Sequence, residues 1–474
     1  MQQNISLSVL NVKETIPQTL LEYKSCVQKL GALCKKDTFS YGVHFDIMDN
    51  KFVPNTGVSL EYIKTAKNLG FFVDVHLMVE NPIGEKYVQK AIEYGADSIT
   101  IHYEIQNFES ILKYLNERRD ILLRKYDRKL EIGICIKPQT NIDEILSYEN
   151  SFSKLLIMSV EPGFGGQKYI TKTFEKIKEA QKKLPNHVIQ VDGGINFDTI
   201  EDSLKYCVDS IVIGSYLSLS SNLYNKILEL EIKKDIERLP KDLNIEFDSK
   251  LLQIRQGGYG EGDILRGIST PNIRKTANYW YKYLNLDILD NYISSSYHEY
   301  RKFACICLSN LSKYLLYKKN KYNLSFNDEE LIKYFENNLP YINNWDLTDE
   351  VGTNVFGKYL INKELKEVKG ILCRYFSSSS IWVRRIGIVS CLEFAKLGYK
   401  EIPFWGCDKL LYDENILVNK AVGCILREVY KKHPNDVFEY IYSNSKLRPI
   451  PRFVVLYASE KMSKDEKKKI REKN

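Results

Sequence analysis

The chain has 474 residues, 44% of them hydrophobic and 27% charged, with a formal net charge of +7. At roughly 100–200 residues per domain, this length holds two to four domains, and the composition is that of a soluble globular protein rather than a disordered or fibrous one. The mild basicity argues neither for nor against nucleic acid, so any such footprint has to come from local clustering.

No run approaches the ~18 apolar residues of a membrane span. The opening MQQNISLSVL lacks a basic segment followed by a long apolar one, so no signal peptide is expected. The ten cysteines are scattered without a CxxC pair, which reads as thiols in a reducing cytosol and predicts a cytoplasmic protein.

Short, β-branched apolar runs recur up to about residue 215: ISLSVL, YGVHFDI, FFVDVHL, DSITIH, EIGICI, KLLIMSV, HVIQVD and DSIVIG. Amphipathic stretches of helical period separate them, as in 60–69 and 170–184. Eight strands alternating with helices predict a closed parallel α/β (β/α)8 TIM barrel. An open doubly wound sheet is the alternative, but no Gly-rich fingerprint follows the first strand.

In VHFDIMDNKFVPN (Val43 to Asn55), His44, Asp46 and Met48 share one face of a strand. An imidazole and a carboxylate two apart suit a divalent cation, with the carboxylate also able to move a proton. His76 in DVHLMVENP and Asp192 in IQVDGG complete a set of two histidines and two aspartates at strand ends. Strands two and seven are three steps apart around such a barrel. Asp46 and Asp192 would then face each other across its mouth, suited to taking a proton from one face of a carbon and returning it to the other. Asp74 shares a face with His76 and is expected to orient it by a hydrogen bond. His102 reads as structural.

Glycine clusters follow the last three strands: Gly163, Gly165 and Gly166, then Gly193 and Gly194, then Gly214 with Ser215. Such loops let backbone N–H groups approach a phosphate, and the ends of strands seven and eight are where this fold binds one.

LSVL with Ser8, HFDIMDNKFVPN, DVHLMVENP, MSVEPGFGGQ, VDGG and GS occur in this order over residues 4–218. This stretch resembles the ribulose-phosphate 3-epimerase family. The resemblance implies interconversion of D-ribulose 5-phosphate and D-xylulose 5-phosphate with one divalent metal ion (Zn, Fe(II), Mn or Co). His44, Asp46, His76 and Asp192 would be its ligands, Asp46 the proton acceptor and Asp192 the donor, reversed for the back reaction. Ser8 and His76 would touch the sugar, and Gly163, Phe164, Gly165, Gly166, Gly193, Gly194, Gly214 and Ser215 would hold the phosphate. Met48, Met78 and Met158 would cap the flat intermediate or fill the core. Asn50 stands where the family has Gly, and Asn tolerates a positive φ better than most residues. A related ketohexose 6-phosphate is the alternative substrate.

The charged stretch 233–242, with Pro240, marks a boundary. The expected domains are a barrel over 1–232, a linker over 233–246 and a helical domain over 247–474. Helical periods rule beyond the linker, as in 331–338, 383–397 and 420–431, and predict an antiparallel array of helix pairs.

YGEGDILRGISTPNIRK, HEYRKFA, INNWDLTD, WVRR and NKAVGCILRE, in order over about 250–435, resemble the AlkD-like DNA alkylation repair family. The resemblance implies an all-α HEAT-like helical repeat that binds double-stranded DNA and excises alkylated purines. Asp349 would be the catalytic carboxylate and Trp345 an aromatic wall, and Arg384 or Arg385 would hold a backbone phosphate. Cys424 stands where the family has a second aromatic wall. A nucleic-acid or protein scaffold without excision is the alternative. The other expected partners are the phosphorylated pentulose and a second copy through the barrel, with no membrane.

Overall fold

The computed structural model describes residues 2–34, 38–241, 260, 262–316 and 324–473. Positions 242–259 and 261 lie outside the described residues. They include the end of the expected linker, the start of the expected helical domain, and Tyr259 and Glu261 of its first motif. The chain divides into two compact units, Met1–Arg238 and Leu239–Asn474.

The first unit is a closed barrel of eight parallel strands in sequence order. They are β1 (Asn4–Ser8), β2 (Ser40–Met48), β3 (Phe72–Met78), β4 (Ser98–His102), β5 (Glu131–Ile136), β6 (Lys154–Met158), β7 (Val188–Asp192) and β8 (Ser210–Ile213). Both faces of such strands are covered, so they read as nearly unbroken buried runs. In β4, all five residues of SITIH are fully buried. The period of two still sorts them: Ile99 and Ile101 belong to the apolar layer under the helices. Ser98, Thr100 and His102 belong to the inner face, which Ser8, His44, Asp46, Asp74, His76, Lys154 and Gln190 make unusually polar.

Helices cover the sheet, the first being Ile16–Leu33 and the last Leu223–Glu237. The fifth crossover is a 3-10 segment, Ile142–Ser151, opened by Asn141, whose N–H donates to Glu144 Oε1 at 3.0 Å. The last helix buries Lys233 and Lys234, so the chain stays in the first unit through residues 233–237. Asn50, just past β2, takes the left-handed conformation at φ 58°.

The second unit is helical. His298–Leu316, Trp345–Val351, Ile381–Leu397, Ile416–Tyr430 and Arg452–Ala458 pack each on the next. Asp328–Asn337, Leu365–Phe376, Glu401–Leu410 and Pro434–Leu447 pack against that series as a second layer, which makes a stack of helix pairs. Among the described residues, no helix is long and apolar enough to cross a membrane.

Candidate active site and metal centre

Parallel register decides which side chains meet at the barrel mouth. It sets Asp46 beside His76, His44 beside Asp74, Ser8 beside His44 and Met158 beside Asp192. His76 Nδ1 lies 3.1 Å from Asp46 Oδ1, and Ser8 Oγ donates to Asp46 Oδ2 at 2.8 Å. His44 Nε2 is fully buried and has no hydrogen-bond partner, yet it sits 3.3 Å from Asp46 Oδ1 and 3.9 Å from Asp192 Oδ2. One ligand atom from each of His44, Asp46, His76 and Asp192 lies within 4.8 Å of the other three.

The residues present fit a divalent cation. His44 Nδ1 is 2.9 Å from Asp74 Oδ2, a carboxylate that also receives Gln190 Nε2 at 2.8 Å, while its other oxygen receives Lys154 Nζ. Asp74 therefore acts as an acceptor, Nδ1 carries a hydrogen, and the orphaned Nε2 faces two carboxylates, placed to give its lone pair to a cation. Two imidazoles and two carboxylates suit a first-row transition metal or zinc.

The electrostatics are those of a buried charged cluster. Burial opposes charge on His44, but Asp46 and Asp74 outweigh it and push the imidazole up to about 10. A proton and a metal ion thus compete for the same nitrogen. Burial would raise Asp46, yet His44 and His76 hold it below the usual carboxylate range. Asp192 is raised, first by burial and then by the charge of Asp46. Burial lowers His76 to about 4.

Above the cluster opens a cleft with about 590 Å³ of empty space. Ser8, Asp46, Asp192, Gly163, Phe164, Gly165, Gly166, Gly193, Gly194, Gly214 and Ser215 all line it, as do Met48, Met78 and Met158. His44 and His76, fully buried, are not among its lining residues. Gly194 has φ 65°, and a Cβ there would come within 2.6 Å of the Tyr169 backbone nitrogen, so the loop after β7 tolerates nothing larger at that point. Gln167 Nε2 donates to the carbonyls of Glu161 (2.6 Å) and Phe164 (2.9 Å) and so fastens the glycine loop after β6.

One expectation is corrected. Asp74 orients His44, not His76, because the parallel register carries it alongside the second strand's histidine. Lys154 and Asn11 were not anticipated. Lys154 opens β6 among apolar residues, and its even spacing from inward-facing Met158 was the available signal. Asn11 lines the cleft from the loop after β1, where no periodicity exists to reveal it.

In the second unit, Trp345 and Asp349 lie one turn apart on one helix, with Trp345 39% exposed and the Asp349 side chain 37% exposed. Arg385 grips Asp349 with both Nε (2.9 Å) and Nη2 (2.8 Å). Arg384 turns into the protein: its Nε donates to Asp413 at 2.7 Å and its Nη1 to the Ser378 carbonyl at 2.9 Å. Arg384, one of the two arginines foreseen for a phosphate, thus has its guanidinium against Asp413 and the turn before its own helix. Cys424 is half-buried and within electrostatic reach of Asp349 and Arg385.

Residues 23–218 match the model of the ribulose-phosphate 3-epimerase family, and residues 242–462 match that of the DNA alkylation repair enzymes. The cytoplasmic isoform of ribulose-phosphate 3-epimerase from Oryza sativa subsp. japonica is 33% identical over 179 residues, which are 36% of this chain and 73% of that protein. The ribulose-phosphate 3-epimerase of Aquifex aeolicus is 35% identical over 181 residues, 36% of this chain and 75% of its own. A solved structure described as a predicted DNA alkylation repair enzyme from Enterococcus faecalis is 18% identical, with a TM-score of 0.37, and covers 48% of this chain and 99% of its own. By its barrel the chain belongs to the ribulose-phosphate 3-epimerase family, and it carries a DNA alkylation repair enzyme domain in its second half.

Proposed function

We propose that the barrel interconverts D-ribulose 5-phosphate and D-xylulose 5-phosphate by moving a proton at C3 between two aspartates. The supporting observation is the convergence of Asp46 and Asp192, from strands β2 and β7, on the orphaned Nε2 of His44. His44, Asp46, His76 and Asp192 would hold one divalent cation (Zn, Fe(II), Mn or Co), which supplies Lewis acidity to the sugar's oxygens. Asp46 takes the C3 proton, acidified by the neighbouring C2 carbonyl, and Ser8 Oγ fixes the carboxylate by donating to its other oxygen. Asp192 returns a proton to the opposite face. The backbone of the loops after β6, β7 and β8 holds the phosphate, and Met48, Met78 and Met158 keep water from the planar intermediate.

Asp46→Asn and Asp192→Asn should each lose about 10²–10⁴-fold in epimerisation. Each variant should still exchange solvent deuterium into one of the two sugars, and the two variants should differ in which. Full activity in either would refute the assigned roles. Faster turnover of a ketohexose 6-phosphate would move the substrate assignment.

We propose further that the helical unit binds double-stranded DNA and excises cationic alkylpurines. In support, a partly exposed indole and a partly exposed carboxylate share one helix face, and Arg385 fixes the carboxylate. Trp345 would attract the cationic base by about 0.5–2 kcal/mol, and Asp349 would stabilise the oxocarbenium ion as the glycosidic bond breaks. Release of 7-methylguanine from alkylated DNA, lost in Asp349→Asn, is the expected result. Salt-sensitive binding without release would leave a binding module and remove the excision.

A further inference from the structure

The two histidines of the cation cluster are backed differently. Behind His44 stands a carboxylate, Asp74. Behind His76 stands another imidazole: His76 Nε2 lies 2.9 Å from His102 Nε2. The chain continues outward, for His102 Nδ1 lies 3.1 Å from Glu104 Oε2, two residues past the end of β4. Glu104 Oε1 in turn accepts from the Lys137 backbone N–H at 2.8 Å and from the Thr140 hydroxyl.

With both imidazoles neutral, hydrogen counting along this chain leaves one arrangement. Glu104, which accepts on both oxygens, makes His102 Nδ1 the donor. A neutral His102 then has a lone pair on Nε2, so the contact at 2.9 Å requires the hydrogen to sit on His76 Nε2. His76 Nδ1 is left with its lone pair, aimed at Asp46 Oδ1 only 3.1 Å away. Two acceptors at that distance repel unless a cation lies between them.

We propose that His102 and Glu104 are positioning residues that fix His76 in the Nε2–H tautomer and so present its Nδ1 as a metal ligand. The proposal rests on the cation site described above and adds the device that prepares one of its ligands. Phe52 keeps the pair in place, its ring 4.7 Å from that of His102. Cys135, beside His102 in the β4–β5 register, also has its sulfur near both imidazoles. A second, softer cation held by His76, His102 and Cys135 would take both Nε2 lone pairs, and the shared hydrogen could not exist.

The test measures Co(II) and Zn(II) binding to the full chain by competition with a chelator, with the Co(II) visible spectrum reporting ligand geometry. Wild type should bind one cation at the barrel. His102→Leu, which can neither accept from His76 nor donate to Glu104, should bind about 10–100-fold more weakly with an altered Co(II) spectrum. His102→Gln offers an amide oxygen to His76 and an amide N–H to Glu104, and should recover most of the affinity. Glu104→Gln, at a partly exposed position that tolerates the change, should fall between them. His102→Leu or Glu104→Gln binding as tightly as wild type would overturn the positioning role alone. So would His102→Gln failing as badly as His102→Leu, or a barrel that binds two cations. No cation bound by wild type would overturn both the role and the site it serves.

Discussion

Asp74 accepts from His44 Nδ1 at 2.9 Å, from Gln190 Nε2 at 2.8 Å and from Lys154 Nζ, which also donates to Ser98 Oγ at 2.6 Å. Lys154 is 1% exposed, so its ammonium is stable inside the barrel only because this carboxylate answers it. Lys154→Met fills the same space but leaves the buried Asp74 with only His44 and Gln190 to answer its charge. The expected cost is about 3–5 kcal/mol, read as a lower urea midpoint for the barrel. Adding Asp74→Asn to Lys154→Met should recover much of that loss, because no unpaired charge then remains. A single mutant within experimental error of wild type would show that the pair carries no weight. The residue scale also shows where reading from sequence stops. His44, Asp46, His76 and Asp192 were legible because each lies in the C-terminal part of a strand on its inward period. The partner of Asp74 was not. Period two places Asp74 and His76 on one face of β3, but side chains bond across strands, and only the register says which strand residue stands alongside.

At the scale of elements, the barrel was legible because every buried strand announces itself as a β-branched run between helical periods. The fifth crossover departs from that pattern. Its 3-10 geometry still buries Ile142 and Ile145 against the sheet, so the sequence carries the apolar signal without the type of helix. In the second unit the helices begin earlier than their apolar period suggests. Asp328–Asn337 starts ahead of Leu331 because Asn327 and Glu330 cap each other, at 2.8 Å and 3.0 Å. The turn after Asp349 gave no signal at all. Gly352–Gly357 is π-helical, and a Cβ on Gly357 would come within 2.7 Å of the Ser390 carbonyl oxygen. That close approach seats the helix of Asp349 against Ile381–Leu397, which brings Arg385 within reach of the carboxylate. Trp345 and Asp349 were named only through the family resemblance, and their place on one helix comes from the structure. Arg384 and Arg385 were named only for a backbone phosphate; that Arg385 meets the carboxylate was not legible, because it depends on how two helices are rotated against each other.

At the scale of the molecule, each unit has its own buried core, and the charged groups inside each tie its stability to pH separately. In the helical unit, His298 is 3% exposed and lies between Asp263 (Nδ1, 3.2 Å) and Asp346 (Nε2, 3.0 Å). Arg301 also meets Asp263, and Lys302 lies 3.5 Å from Asp346. Burial works against a charged imidazole there, but the two aspartates outweigh it and raise the pKa above 6.5. A raised histidine stabilises the fold fully below its unfolded pKa, and the contribution fades as pH climbs through the folded value. Each unit between the two values is worth about 1.4 kcal/mol. The helical unit should therefore lose stability as pH rises above about 6.5, the reverse of the carboxylate-driven gain seen on leaving acid. His298→Gln keeps the space and a hydrogen-bonding end but cannot take up the proton. Thermal melts of both chains from pH 6 to pH 9, chosen to bracket ordinary histidine titration near 6.5, should show the gap between them closing as pH rises. A gap that stays constant would mean that His298 is neutral in the fold and that its two aspartates are balanced by Arg301 and Lys302 instead.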